Sequence, residues 1–135
     1  MTDPVVAPVA YIIERISKAW GLTPADLIEI RGTGGNYRNS PPPPTVVCRS
    51  VAMMVAHDLM PHLPWRALGR SFQRDRTTII SNIRVARRYL DHHRLVAARV
   101  DRLKADIERQ IAPRIRAGNK AGNLTRMSAL SALQK

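Results

Sequence analysis

Residues 74–78 read Arg-Asp-Arg-Thr-Thr and run directly into "IISNIRVARR". From Arg70 to Arg88 the chain holds six arginines and one acid. A guanidinium is a planar fork of N–H donors. It suits phosphates, and it can grip O6 and N7 of guanine with two hydrogen bonds. Arg76 is placed for such a grip. Asp75 can accept from cytosine N4, and Thr77 and Thr78 offer hydroxyls and methyls. Asp75 or Thr77 could equally cap a helix that starts here, because a side-chain oxygen there accepts from a free backbone N–H. The two roles are compatible.

Charge is divided unevenly along the chain. Residues 1–48 sum to zero, and residues 49–135 carry all of the net +12, with Arg far outnumbering Lys. A basic half on a neutral half points to a polyanionic partner. A genome rich in G and C, which favours arginine codons, would give the same excess. Other chemistries lack their residues. Cys48 is the sole cysteine, which excludes an internal disulfide and a cysteine-based metal cluster. His57 and His62 are five apart, and His92 and His93 are adjacent, so neither pair has the same-face spacing of helical metal ligands. Ser, His and Asp occur without a recognisable nucleophile turn. The expectation is no catalytic residue, no metal, no cofactor and no small-molecule substrate. No apolar run approaches the ~20 residues of a membrane span, and the N-terminus does not resemble a signal peptide. A cytoplasmic, nucleoid-associated protein with no membrane partner is expected.

The elements that must hold the basic stretch are legible from spacing. Residues 1–8, with Pro4 and Pro8, read as a flexible lead. Val9, Ile12, Ile13, Ile16 and Trp20 have helix spacing, ended by Gly21. Thr23-Pro24 opens a short helix, with Thr as N-cap, Pro first in the helix and Leu27 and Ile30 inward. Residues 32–44, "GTGGNYRNSPPPP", are a break, either a stiff spacer or a ligand for a proline-binding domain. A third helix is predicted from about Val46 to Met60. It is apolar nearly all round and so central. "PWRALGRSF" gives a short helix with Leu68 and Phe72 inward. The next helix buries Ile79, Ile83, Ala86 and Leu90, and turns Thr77, Thr78, Ser81, Arg84, Val85 and Arg88 outward. "DHHR" interrupts. A last helix carries Val96, Val100, Leu103, Ile107 and Ile111, is stopped by Pro113, and either closes the core or pairs with a second copy. The aromatics are only 4% of the chain, so the core must be aliphatic.

The expected fold is therefore all-α, a domain of about six helices over residues 9–112, with a helix-turn-helix at 64–90. A basic tail, 113–135, would be partly disordered or partner-binding. A short helix, a tight turn and a longer helix with a basic outer face suit entry of the second helix into the major groove of duplex DNA.

"RSVAMMVAHDLMPHLPWRALGRSFQRDRTTIISNIRVARR" resembles the C-terminal DNA-binding domain of the bacterial replication initiator DnaA. The matching features are Arg49-Ser50-Val51-Ala52-Met53, Leu63-Pro64, Leu68-Gly69, Phe72, Arg74-Asp75-Arg76-Thr77-Thr78 and Ile79-Ile80. The resemblance covers roughly residues 9–110. It implies that Arg49 enters a minor groove beside an A·T-rich half-site. Leu63 and Pro64 would lie against the phosphate backbone. Arg66, Arg70 and Arg74 are further DNA-binding candidates. Asp75, Arg76 and Thr77 would read bases, and Thr78 would hold a phosphate. His57 stands where the family often has a phosphate-contacting Lys. The turn "FQRDRTT" is one residue shorter than the family's "FGGRDHTT", and Arg76 replaces a His. Together these imply a shifted base preference.

A Gly-rich phosphate loop ending in Gly-Lys-Thr/Ser is absent, and the length leaves no room for an ATPase domain. The pattern is similar to stand-alone DNA-reading proteins of alphaproteobacteria and phages, including GafY-like activators of gene transfer agent genes. The resemblance implies a transcription regulator, an activator at phage-like promoters. RNA polymerase or a sigma-like protein would meet its C-terminal tail. Two alternatives stand beside it. One is an accessory replication factor that occupies initiator boxes. The other is a non-enzymatic adaptor whose basic face binds an acidic protein.

Overall fold

The computed structural model describes residues 6–28 and 41–122, and the side chains of 8–28 and 41–113. Six helices follow one another: α1 (Val6–Ala19), α2 (Pro24–Ile28), α3 (Pro44–Leu59), α4 (Trp65–Phe72), α5 (Arg76–His92) and α6 (Arg94–Gly122). Among the described residues there is no strand, so the fold is all-α with a helix–turn–helix pair, α4 and α5.

The helix boundaries have local causes. The chain leaves the proline run through Pro43, and Pro44 takes the first turn of α3, where its missing N–H costs nothing. Thr23 and Asp26 cap α2 reciprocally. Asp26 N–H donates to Thr23 Oγ1 at 3.2 Å, and Thr23 N–H donates to Asp26 Oδ2 at 2.9 Å. α1 ends where Gly21 adopts φ 72°. Leu22 N–H then reaches Ser17 O at 2.8 Å and Gly21 N–H reaches Lys18 O at 3.0 Å, a Schellman closure.

α3 is the axis of the fold. Every residue from Val46 to Ala56 is buried, as its all-round apolar character requires. It packs most extensively on α5 and α1. Val9, Ile12, Ile13 and Ile16 of α1, Leu27 of α2, Leu68 and Phe72 of α4 and Ile79, Ile83 and Ala86 of α5 complete an aliphatic core with one phenylalanine. Cys48 lies in it as packing. Burial, then the negative charge of Asp26, pushes its thiol up to about 12, so it stays protonated and unreactive.

α6 closes this same core rather than leaving its stripe free for a second copy. Val100, Ile107 and Ile111 are buried, and Val96 and Leu103 pack half-buried beside them. Two acids fasten it. Asp106 of α6 accepts from Arg15 of α1 at 2.7 Å and from Arg109 at 3.2 Å. Asp58 of α3 accepts from Arg87 of α5 at 2.9 Å and from Lys104 of α6 at 3.1 Å. Burial opposes the charge on Asp58, but Arg87 and Lys104 outweigh it and hold the carboxyl below its usual 3.8. A depressed folded-state pKa gives stabilisation that is complete above 3.8 and is lost as the pH falls through the folded value. Denaturant midpoints measured from pH 5 downward should therefore fall more steeply below pH ~4 for the wild type than for Asp58→Asn.

Three expectations are corrected. Pro113 lies inside α6 and does not stop it, so the region expected as a tail begins as helix, to Gly122. A proline removes one hydrogen bond, whereas Ile107 and Ile111 anchor the helix just before it and "RIRA" after it favours helix. The lead is shorter than 1–8, because α1 starts at Val6 and tolerates Pro8 in its first turn. Val85 is buried, not outward. α5 packs against α3, α4 and α6, and its buried arc extends about 160° from Ile83 to take in Asn82 and Val85, at 100° per residue. The break at 32–40, Ile30 and the segment "LTRMSALSAL" lie outside the described residues.

Candidate nucleic-acid interface

The turn between α4 and α5 spans Gln73, Arg74 and Asp75. Its geometry repeats the end of α1 without a glycine at the critical position. Gln73 takes the left-handed conformation, φ 54° and ψ 44°. Arg74 N–H donates to Gly69 O at 2.9 Å, and Gln73 N–H to Arg70 O at 3.3 Å. The same turn explains Gly69, which otherwise weakens a helix interior by ~1 kcal/mol. A Cβ on Gly69 would stand 2.5 Å from the carbonyl oxygen of Arg74. The turn folds back against α4 at the one residue with no side chain. Gly69→Ala should cost about 1–2 kcal/mol net, measured by denaturant unfolding. Helix propensity alone predicts the opposite sign, so a stabilised variant would refute the close approach.

Asp75 then caps α5, accepting from Thr78 N–H at 2.8 Å. Hydrogen bonds from the backbone and hydroxyl of Thr78 hold its carboxyl below the ordinary range, so it is an anion at neutral pH. The capping role is thus present, and the Asp75 side chain stays exposed.

Around this turn the structure brings together residues of one short stretch, 65–76. Trp65, Arg66, Gly69 and Arg70 of α4, with Gln73, Arg74, Asp75 and Arg76, line one open groove. Arg66, Arg70 and Arg76 are exposed, and Arg74 is half-buried, with Nη1 donating to Gln73 O at 2.9 Å. Thr77, Ser81, Arg84 and Arg88 continue the surface as an exposed stripe along α5, at helical spacings of four, three and four. From Leu59 to Leu90 Asp75 is the one acid, so the surface is basic throughout. Such a surface can take up a polyanion along its length and offer donors at the turn. Thr78 is half-buried with its N–H committed to the cap.

The other expected site residues fall differently. His57 is half-buried and stacks on Trp65, ring centroids 4.7 Å apart, so it borders the groove through that ring. Pro64 is exposed and stands before the first turn of α4. Leu63 does not face outward beside it; it is buried in the core beneath the α3–α4 connection. Arg49 departs most. Expected at a minor groove, it is fully buried between α3 and α5, with Nε and Nη2 donating to Asn82 Oδ1 at 3.4 and 3.3 Å. A side chain with no exposed surface does not reach a groove. α3 is enclosed from Val46 to Ala56, which leaves Arg49 no outward direction.

Sequence reasoning missed Trp65, Gln73 and Asn82. Gln73 is invisible to spacing because its role is conformational. Asn82 had a signal: a polar residue next to Ile83 on the apolar side of a helix needs buried partners. Among the described residues no group of three or more His, Cys, Asp or Glu is placed to hold a metal, and no helix is long and apolar enough to cross a membrane. Compared with protein-family models, curated proteins and solved structures, the chain matches none.

Proposed function

We propose that the chain is a sequence-specific duplex-DNA-binding regulator of transcription, akin to a DnaA C-terminal domain, and not an enzyme. The observation that carries this reading is the continuity of one basic surface. It runs from Arg66 and Arg70, over the turn, along Thr77, Ser81, Arg84 and Arg88 of a helix whose opposite side is packed. In this reading Arg76 and Asp75 address base edges, while Arg66, Arg70, Arg84 and Arg88 neutralise phosphates. RNA polymerase or a sigma-like protein is the partner an activator would need, met by residues beyond Pro113.

Genome-wide occupancy at ~100 mM salt, followed by binding to recovered and scrambled duplexes, tests the proposal. Peaks at promoters support it. Peaks confined to the replication origin assign the protein to initiator boxes. Absence of peaks, with capture of an acidic protein, assigns it to the adaptor class. One variant separates phosphate contact from base reading. Arg84→Ala should weaken cognate and scrambled duplexes alike and lower the log K–log salt slope by about 1.

A further inference from the structure

Beneath the outer stripe of α5 lies a small polar cluster inside the core. Arg49, Ser50 and Asn82 are all buried, at 0%, 0% and 7% exposure, amid aliphatic neighbours. The amide of Asn82 joins them. Its Oδ1 accepts from Arg49 Nε and Nη2 and from Ser50 Oγ, the last at 3.0 Å. Its Nδ2 donates to the backbone carbonyl of Thr78 at 2.7 Å. The amide has only one orientation here. Arg49 offers donors and no acceptor, so Oδ1 must face it, and the carbonyl of Thr78 demands the N–H side. Thr78 is also the residue whose N–H the Asp75 cap holds. The first turn of α5 is therefore tied at Thr78 on both sides of one residue, outward to the turn and inward to α3.

We infer that Asn82 is a positioning residue for DNA reading: through Thr78 it locks the first turn of α5, and with it Arg76 and Thr77, to the α3 framework by way of Arg49. The inference rests on the DNA-binding reading above. Ordinary core packing does not require a polar cluster at this position, because an apolar set of similar volume is at least as favourable for stability. Its distinctive consequence is directional. Side-chain amides bonded to a carbonyl fix the rotation of a helix turn more tightly than the sliding contact of two aliphatic surfaces. Base reading tolerates displacements of only a few tenths of an ångström, whereas phosphate neutralisation tolerates more.

Two variants test it. Asn82→Asp keeps the acceptors for Arg49 and Ser50 but sets a second oxygen against the Thr78 carbonyl, so the tie is broken while Arg49 stays paired. The triple variant Arg49→Met, Ser50→Ala, Asn82→Leu removes the cluster with no buried polar atom of it left over. Each is compared with wild type for thermal unfolding, amide hydrogen exchange over residues 76–80, and affinity for the selected duplex and a scrambled one. The expected result is cooperative unfolding in both variants with faster exchange in the first turn of α5. The ratio of selected to scrambled affinity should fall at least ~10-fold, with scrambled affinity within about threefold of wild type. An unchanged ratio in a folded variant overturns the positioning role while leaving the DNA reading intact. Wild type that shows no preference between the duplexes overturns the DNA reading itself, and the inference with it. Should Asn82→Asp not fold, the triple variant decides alone.

Discussion

Arg49→Ala is expected to lower the unfolding free energy by about 2–4 kcal/mol, and not to act as the loss of a surface DNA contact. The side chain is among the largest fully buried ones in the molecule. Removing it empties a volume in the middle of the α3–α5 contact and strips Asn82 Oδ1 of the two guanidinium donors, leaving Ser50. Truncations of that size leave cavities that cores refill only partly. The effect should be read from the denaturant midpoint, with the slope unchanged if the variant still unfolds in one step. A minor-groove role makes a different forecast: normal stability, and weakened binding only where the flank is A·T-rich. Comparing variant and wild type on duplexes with A·T-rich and G·C-rich flanks, below the melting range of both, separates the two. Equal losses on the two flanks agree with the buried position. A loss confined to the A·T-rich flank would require Arg49 to leave the core on binding.

Arg76→Ala carries the largest expected effect on recognition. Arg76 is the first residue of α5, is exposed, and lines the groove beside Asp75. At the first helical position its side chain extends ahead of the helix, where a base edge would lie. A bidentate guanidinium–guanine pair is worth about 1–3 kcal/mol of discrimination. The variant should therefore bind the selected duplex about 5–150-fold less tightly and accept any base at one position. Its loss on scrambled duplex should be no larger than that of Arg84→Ala. Selection of binding sites from a random pool, wild type against variant, measures this directly. A variant that recovers the same consensus at every position excludes Arg76 from base reading.

Much of the site could be seen without coordinates, and the reason is locality. A cap, a turn and a helix start depend on residues within four or five positions of one another. Thr23-Pro24, the basic turn and the start of α5 at its Asp75 cap were all within reach of spacing and side-chain chemistry. The exposed stripe Thr77, Ser81, Arg84 and Arg88 was legible for the same reason, since helical period alone separates it from Ile79, Ile83 and Ala86. The resemblance to an initiator domain supplied roles for residues, but not their depth. Leu63 and Arg49 were placed by it at a DNA backbone and a minor groove, and both are inside.

By itself the sequence determined an all-α chain, a basic turn and helix start within a basic C-terminal portion, and the order of the six helices, because periodicity, capping and charge are written residue by residue. The tertiary structure alone decided which polar groups are turned inward. Whether Arg49 meets water or Asn82 depends on α5 lying across α3, an arrangement of residues thirty-three apart in the chain. Whether Val85 is covered depends on how α3, α4 and α6 come to rest against α5. Pro113 shows the converse: a local stop signal gave way because the helix on its N-terminal side is anchored by Ile107 and Ile111 in a core built from distant segments. Burial is a property of how helices are stacked, and no single helix encodes which of its neighbours will come to rest on it.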